Sequence, residues 1–262
     1  HLFSSAASDV YKRQMKCWGH NHLGQLGNGG VGSVTAVVSP PSTPIDLGTG
    51  RTAVALSAGD SHTCAILDNG DMKCWGYDGN GQLGDGGSNT NANAPSSTAI
   101  DLGTGRTAVA ITGGLQHTCA ILDNGDVKCW GRDNNGQLGD GGTNTNTNAP
   151  SSTAIDLGTG RTAVAVHAGW SHTCAILDNG DMKCWGRDNY GQLGNGAILT
   201  DTDAPSSTPI DLGTGRTAVA ASVGQHHTCA ILDNGDMKCW GHNHLGQLGN
   251  CLLYTSTLPT RR

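Results

Sequence analysis

The sequence predicts an all-β protein assembled from repeated units. One stretch, HTCAILDNGDMKCWGYDGNGQLG at 62–84, returns nearly unchanged at 117–139, 172–194 and 227–249, with a constant period of 55 residues. The composition points the same way, because the 41 glycines and the acidic residues, which are all aspartate, favour turns over helices. Self-similarity of this kind is typical of solenoids, propellers and other arrays. We therefore expect short strands joined by tight turns.

Each repeat contains four short segments that are compatible with strands. In the first full repeat they are AVALSA at 53–58, HTCAIL at 62–67, DMKCWG at 71–76 and PSSTAIDL at 95–102. Glycine, asparagine, aspartate and proline lie at their ends, where they favour turns. Four strands per repeat is the make-up of a propeller blade. The predicted fold class is therefore an all-β β-propeller of four-stranded blades.

The repeated motif resembles that of a known family. G-x-x-HTCAIL-x-NG-x-x-KCWG-x-x-x-x-GQLG is similar to the repeat of the regulator of chromosome condensation family, and the resemblance covers 15–250. It implies a β-propeller, usually of seven blades, so that about four repeats of 55 residues would be part of a ring. The paired cysteines depart from the eukaryotic exchange factor of this family. They resemble the repeats of bacterial, exported members.

The domain organisation expected from the sequence is one repeat array between two foreign ends. Residues 1–14 and 251–262 match no part of the repeat, and we interpret both as non-native flanks. The array at 15–250 divides into a partial repeat at 15–52, full repeats near 53–107, 108–162 and 163–217, and a partial last repeat at 218–250.

Two cysteines flank the same hairpin turn in each of the last four repeats. The pairs are Cys64/Cys74, Cys119/Cys129, Cys174/Cys184 and Cys229/Cys239. A two-residue Asn-Gly turn would place the two sulfurs on opposite faces of the hairpin. A three-residue loop, with Gly70 in the left-handed conformation, sets Cys64 directly opposite Cys74 and near disulfide range. We favour the bulged hairpin with a disulfide, and buried free thiols or a metal site are the alternatives.

Disulfides would also indicate where the protein works. They persist in oxidising compartments, so the sequence predicts a protein that is secreted or displayed at the cell surface. The net charge of −6, with lysine and arginine dispersed, argues against a nucleic-acid partner. No apolar run approaches the roughly 18 residues of a membrane span.

The residues that recur in every repeat favour structure over chemistry. We interpret His62, His117, His172 and His227 as structural hydrogen-bonding groups, and the Asp-Asn-Gly-Asp segments as turns, because they lack the spacing of a calcium loop. No catalytic constellation stands out from the repeat pattern. We therefore expect neither an enzyme, nor a cofactor, nor a metal.

The positions that differ between repeats fall in two turns. They precede HTC and follow CWG, and alternating strand direction places both at the same end of a blade, opposite the constant turn. Variation concentrated on one face is typical of a binding surface, although drift in exposed loops would look the same. The ligand-binding candidates are Tyr77, Asp78, Arg132, Asp133, Trp170, Arg187, Tyr190, His226 and His242.

These observations favour one function over two others. The leading hypothesis is a non-catalytic, exported scaffold that binds a protein or another surface ligand through the variable face of a propeller. The alternative, implied by the family resemblance, is a guanine-nucleotide-exchange-type regulator of a small GTPase. An enzyme built on a propeller scaffold is a third, and the missing catalytic constellation counts against it.

Overall fold

The computed structural model describes residues 5–9, 14–30, 39–87, 89–142 and 145–249. Within these ranges the chain has no helix, and hence no apolar helix that could cross a membrane. The strands are β1 Ser5–Asp9, β2 Gln14–Trp18, β3 Ala53–Ala58, β4 His62–Leu67, β5 Met72–Gly76, β6 Ala108–Gly113, β7 His117–Leu122, β8 Val127–Gly131, β9 Ala163–Ala168, β10 His172–Leu177, β11 Met182–Gly186, β12 Ala218–Val223, β13 His227–Leu232 and β14 Met237–Gly241.

The strands form one three-stranded antiparallel sheet in each of the last four repeats. The sheets are β3-β4-β5, β6-β7-β8, β9-β10-β11 and β12-β13-β14, and β1 pairs with β2 in a two-stranded sheet. The inner strands β3, β6 and β9 of successive sheets lie side by side. The Gly113 N–H donates to the Ser57 hydroxyl (2.9 Å), and the Ala168 N–H donates to Thr112 Oγ1 (3.1 Å). The all-β prediction is confirmed.

The segment expected to supply a fourth strand runs beside the outer strand without forming one. The Ile100 N–H donates to the Met72 carbonyl (2.9 Å), and Gly76 and Ala92 exchange two backbone hydrogen bonds. Between these contacts Pro95 has no N–H to donate, and the Ser96 hydroxyl accepts from the Thr98 N–H in a local turn. Backbone groups engaged in this way cannot continue a ladder, so each described full sheet has three strands.

The hairpin between the middle and outer strands has the bulged geometry. Cys64 pairs with Cys74 across the two strands, and Gly70 has φ +80°. The Gly70 N–H donates to the Leu67 carbonyl, which closes the three-residue loop (2.9 Å). The predicted disulfides are confirmed in all four repeats: Cys64–Cys74, Cys119–Cys129, Cys174–Cys184 and Cys229–Cys239.

The first repeat differs because β1 replaces the HTC strand. Its register pairs Ala6 with Cys17, at the place where another repeat has two cysteines. Cys17 is therefore a free thiol, and burial raises its pKa to about 12. The non-native origin of 1–14 stays a prediction, although 5–9 form a strand. The flank predicted at 251–262 lies outside the described residues.

The hydrophobic core lies between successive sheets. In one cluster, Ile66 and Leu83 of one repeat pack with Trp130 of the next, which is fully buried. Gly84 has φ +72° and lies directly against that indole, so a side chain at this position would collide with the ring. A single repeat cannot bury this face alone, and neighbouring repeats stabilise one another.

A chain of hydrogen bonds crosses the same boundary between repeats. The Gln82 carbonyl accepts from the Thr118 hydroxyl (2.8 Å) and from Trp130 Nε1 (3.1 Å). Because the Thr118 hydroxyl donates its proton there, it accepts from His62 Nε2–H (2.9 Å), and this fixes the tautomer of the neutral ring. His117 and His172 make the equivalent bonds to Thr173 and Thr228. These three histidines are fully buried, and the structural role expected for them is confirmed.

Candidate functional site

The two variable turns of each repeat lie together at one end of the sheet. Four backbone bonds of 2.8 Å join them: Tyr77 N–H to Ser61, Arg132 N–H to Gln116, Arg187 N–H to Ser171 and His242 N–H to His226. We call the turns 59–61, 114–116, 169–171 and 224–226, with the loops 77–80, 132–135, 187–190 and 242–245, the variable face. The constant Asp-Asn-Gly-Asp turn lies at the other end, between the middle and outer strands.

Four candidate residues from two repeats form one cluster of rings on this face. Ring centroids are 4.9 Å apart for Trp170 and His226, 5.3 Å for Tyr190 and His226, and 4.2 Å for Tyr190 and His242. The cluster continues to His244, whose ring centroid is 4.2 Å from that of His242. The distances among the four candidate rings could not be read from the repeat spacing, since these rings come from four different turns.

His226 occupies the centre of the cluster. Burial lowers the pKa of its imidazole, and the nearby Arg187 and His242 lower it further. Its Nδ1 is enclosed and has no hydrogen-bond partner among the described residues. The ring is therefore held neutral at pH values where an exposed histidine begins to titrate.

A cavity of about 340 Å³ opens beside the cluster, where the inner strands end. Its wall is formed by the glycines of the four inner turns, Gly59, Gly114, Gly169 and Gly224, and by adjacent side chains that include Leu115 and Trp170. One wall of the cavity is thus the same tryptophan that begins the ring cluster. An apolar side chain from a partner could enter here.

Two arginines of the variable face have neutral partners. Arg132 Nη1 donates to the Gln116 amide oxygen (2.8 Å), and the Asn189 amide oxygen accepts from Arg187 Nε and Nη2. The other arginines of the described ranges each form an ion pair of 3.0–3.3 Å near the constant turns: Arg51–Asp68, Arg106–Asp123, Arg161–Asp178 and Arg216–Asp233.

The structure removes Asp78 and Asp133 from the predicted ligand-binding set. Both are fully buried, and Oδ1 of Asp78 accepts from the Leu83 N–H (2.9 Å), as Asp133 does from Leu138. Burial raises the pKa of each carboxyl to about 6. Both side chains therefore hold their own loops by buried hydrogen bonds and are not exposed to a ligand. Tyr77 remains partly exposed, with its ring against Gly79 of its own loop, apart from the cluster.

The candidates chosen from sequence missed several apolar residues beside the cluster. Leu245 occupies the repeat position of Tyr190 and is 81% exposed. Ile198 and Leu199 are 66% and 72% exposed, and Ile198 lies close to Gly191, which directly follows Tyr190. Leu199 has φ +63°, at a position where the first full repeat has Asn89. The sequence did contain a signal for these residues, because apolar residues replace a polar, turn-forming sequence in one repeat.

No group of three or more histidine, cysteine or aspartate side chains within the described ranges is arranged to hold a metal ion. The alternative of a metal site at the paired cysteines is excluded by their disulfides.

Comparison with known proteins agrees with this geometry. A family model described as the regulator of chromosome condensation (RCC1) repeat matches 17–66, 124–176 and 179–231, and a second model of the same description matches 53–82, 108–137, 163–192 and 218–247. The ultraviolet-B receptor UVR8 of Arabidopsis thaliana is 29% identical over 252 residues, which are 94% of this chain and 52% of the receptor.

Two further similarities extend over most of the chain. The mitochondrial RCC1 domain-containing protein RUG3 of Arabidopsis thaliana is 31% identical over 246 residues, 93% of this chain and 53% of that protein. The crystal structure of yeast RCC1 (Prp20) with bound Kap60 superposes with a TM-score of 0.76 at 20% identity, covering 92% of this chain and 54% of the other. The chain thus spans about half the length of these plant relatives. Because a family model matches more than half of the residues, the chain belongs to the regulator of chromosome condensation (RCC1) repeat family.

Proposed function

We propose that this chain is a non-catalytic interaction module that binds a protein through the variable face. The observation that carries the proposal is the cluster of Trp170, Tyr190, His226 and His242, in which rings from four turns of two repeats meet beside a cavity. Tryptophan and tyrosine are enriched at the centres of protein interfaces. A rigid array of sheets holds them in place, as a binding surface requires.

The relatives support a role in protein binding. Yeast RCC1 has been crystallised with Kap60, and that protein is also described with binding properties to Gsp1p and histones. A nucleotide-exchange-type regulator of a small GTPase remains the alternative function. Its support is the shared fold, at 20% identity.

Two further features belong to the same proposal. We infer that the protein is exported, because four disulfides would persist in an oxidising compartment. We also infer that the blades belong to a seven-bladed ring, as the family resemblance implies. Closure would cover the sheet face that an open array exposes, where Met237 is 67% exposed.

The test of protein binding compares two variants of one repeat. Trp170→Ala/Tyr190→Ala removes the two largest rings of the cluster, and Asn179→Ala changes the exposed constant turn of the same repeat. Each protein is immobilised and exposed to extracellular fluid of the source organism, and retained proteins are identified by mass spectrometry. We expect wild type and Asn179→Ala to retain a common protein that the double variant loses. Equal retention by all three would refute binding through this face.

A further inference from the structure

We propose that the variable face recognises an acidic peptide segment with an apolar anchor. A carboxylate of the partner would bind Arg187 or Arg132, and an apolar side chain would enter the cavity beside Trp170. This inference rests on the proposed protein-binding function, and it adds the chemistry of the partner.

The uncompensated charge of the two arginines supports the acidic part. Among the described residues, Arg132 and Arg187 have only amide oxygens as side-chain partners, whereas the other arginines there are paired with aspartates. A guanidinium group matches a carboxylate with two parallel hydrogen bonds, which an amide oxygen cannot provide.

The position of Arg187 joins this charge to the ring cluster. Arg187 lies close enough to His226 to lower the pKa of that imidazole. Its backbone N–H is bonded to Ser171, the residue that follows Trp170. A single short segment could therefore contact the guanidinium group and the tryptophan together.

The exposed aliphatic residues favour a peptide over a sugar as the occupant. Ile198 lies close to Gly191, and the Leu199 N–H donates to the Asp188 carbonyl (2.9 Å), so both lie beside the loop of Tyr190. Leu245 follows His244 of the ring cluster, and all three aliphatic side chains are mostly exposed. Leu199 has φ +63° and Asn89 of the first full repeat has φ +55°, so this repeat keeps the turn but places an exposed leucine in it. Apolar side chains that remain in water gain most from burial against other apolar groups.

The carboxylates of the region limit the proposal to a local acidic contact. Asp60 accepts from the Ser61 hydroxyl, and Asp201 accepts from the Asp188 N–H and from the Asn135 amide. Asp85 and Asp140 each accept a backbone N–H in their own loops. The face is therefore not a uniform basic surface, and a polyanion would meet these groups. A peptide with one or two carboxylates placed at the arginines would avoid these aspartates.

The experiment selects linear peptides from a random twelve-residue phage-display library on the immobilised full chain. Selected peptides are synthesised, and their affinities are measured for wild type, Arg187→Gln, Arg132→Gln/Arg187→Gln, Trp170→Ala and Arg161→Gln. Arg161→Gln is the matched control, because Arg161 is paired with Asp178 at the constant-turn end of the third sheet, away from the variable face. Circular dichroism and thermal unfolding of each variant verify that it is folded.

We expect the selected peptides to contain aspartate or glutamate within a few residues of a large apolar residue. Arg187→Gln and Trp170→Ala should each weaken binding about tenfold, and Arg161→Gln should leave it unchanged. Higher salt should weaken binding to wild type more than to Arg187→Gln.

Other outcomes separate the inference from the function on which it rests. Peptides that lose affinity with Trp170→Ala but keep it with the Arg132→Gln/Arg187→Gln variant would overturn the acidic recognition and leave protein binding intact. Peptides insensitive both to Trp170→Ala and to the arginine substitutions, or a selection without enrichment over the Arg132→Gln/Arg187→Gln variant, would also overturn it. Insensitivity to both would count against the variable face as a binding surface as well.

Discussion

His117 shows how a repeated residue can couple stability to pH. Its ring is fully buried between two repeats and donates from Nε2 to Thr173 Oγ1 (3.0 Å). Burial, and to a lesser degree the neighbouring His62, lower the pKa of the imidazole to about 3. In the unfolded chain the same group titrates near 6.5. The unfolded state therefore binds one more proton than the native state between these values, and stability falls as the pH decreases below about 6.5.

Replacing this histidine with glutamine tests that linkage. In His117→Gln the amide N–H can still donate to Thr173, but the side chain no longer titrates. We expect the difference in unfolding free energy between wild type and variant to change by about 1.4 kcal/mol per pH unit from pH 6 to 4, with the variant losing less stability on acidification. Urea unfolding at several pH values measures it. If the unfolding free energies of the two proteins changed with pH in parallel, the His117 ring would not be buried and neutral in the native state.

Asp78 and Asp133, whose pKa values are raised, change the unfolding free energy with pH in the opposite direction to His117. For this reason the experiment compares wild type with a variant. A carboxyl group whose pKa is about 6 in the native state binds a proton that the unfolded chain has released above about 4. These groups therefore stabilise the native state as the pH falls from 6 to 4. Wild type and His117→Gln share them, so their contribution cancels in the difference.

At the scale of the hairpin, local chemistry was sufficient for prediction. The Asn-Gly sequence allows two turns, and only the bulged one places Cys119 opposite Cys129, so the paired cysteines decided the register. The fourth segment, at 95–102, does not form the predicted strand, and the reason is also local. Its length and apolar end suggested a strand, but Pro95 and the Ser96–Thr98 turn remove backbone groups from the ladder.

The disulfides can be tested one repeat at a time. Cys119→Ala/Cys129→Ala should lower the unfolding free energy by about 3 kcal/mol, because a crosslink over so short a loop restricts the unfolded chain by roughly that amount. Urea unfolding monitored by tryptophan fluorescence measures the loss.

Alkylation of denatured, unreduced wild type is the control for that experiment. Of the cysteines in the described ranges, Cys17 alone should react before reduction, and all should react afterwards. If Cys119 and Cys129 are alkylated without reductant, the hairpin carries free thiols. The proposal of export would then lose its support.

For the whole molecule, the sequence predicted the array but not the site. Periodicity identified the repeats, and strand direction placed the variable turns at one end. Which residues meet there depends on packing between repeats. Trp170 and His226 are neighbours because the third and fourth sheets lie side by side, and no spacing within one repeat contains that information. For the same reason the burial of Asp78 and Asp133 beneath their loops was not anticipated.

The same dependence between neighbours makes stability uneven along the array. The sheets β9-β10-β11 and β12-β13-β14 contain identical middle and outer strands, HTCAIL and MKCWG, joined by the same turn. Met182 is fully buried in the third sheet, and Met237 is 67% exposed at the same position of the fourth. The third sheet is covered by the fourth, whose Trp240 donates to the Gln192 carbonyl (3.0 Å).

Amide hydrogen exchange can compare these two sheets within one sample. Intrinsic exchange rates depend on local sequence, so identical strands differ in protection only through the structure around them. We expect amides of β13 and β14 to exchange at least about tenfold faster than those of β10 and β11, because fewer buried contacts oppose local opening. Nuclear magnetic resonance is the suitable method, since peptides cut from the two strands would have the same mass. Equal protection would mean that the outer face of the fourth sheet is covered in solution. The dependence of this protection on protein concentration would then show whether a second copy of the chain covers that face.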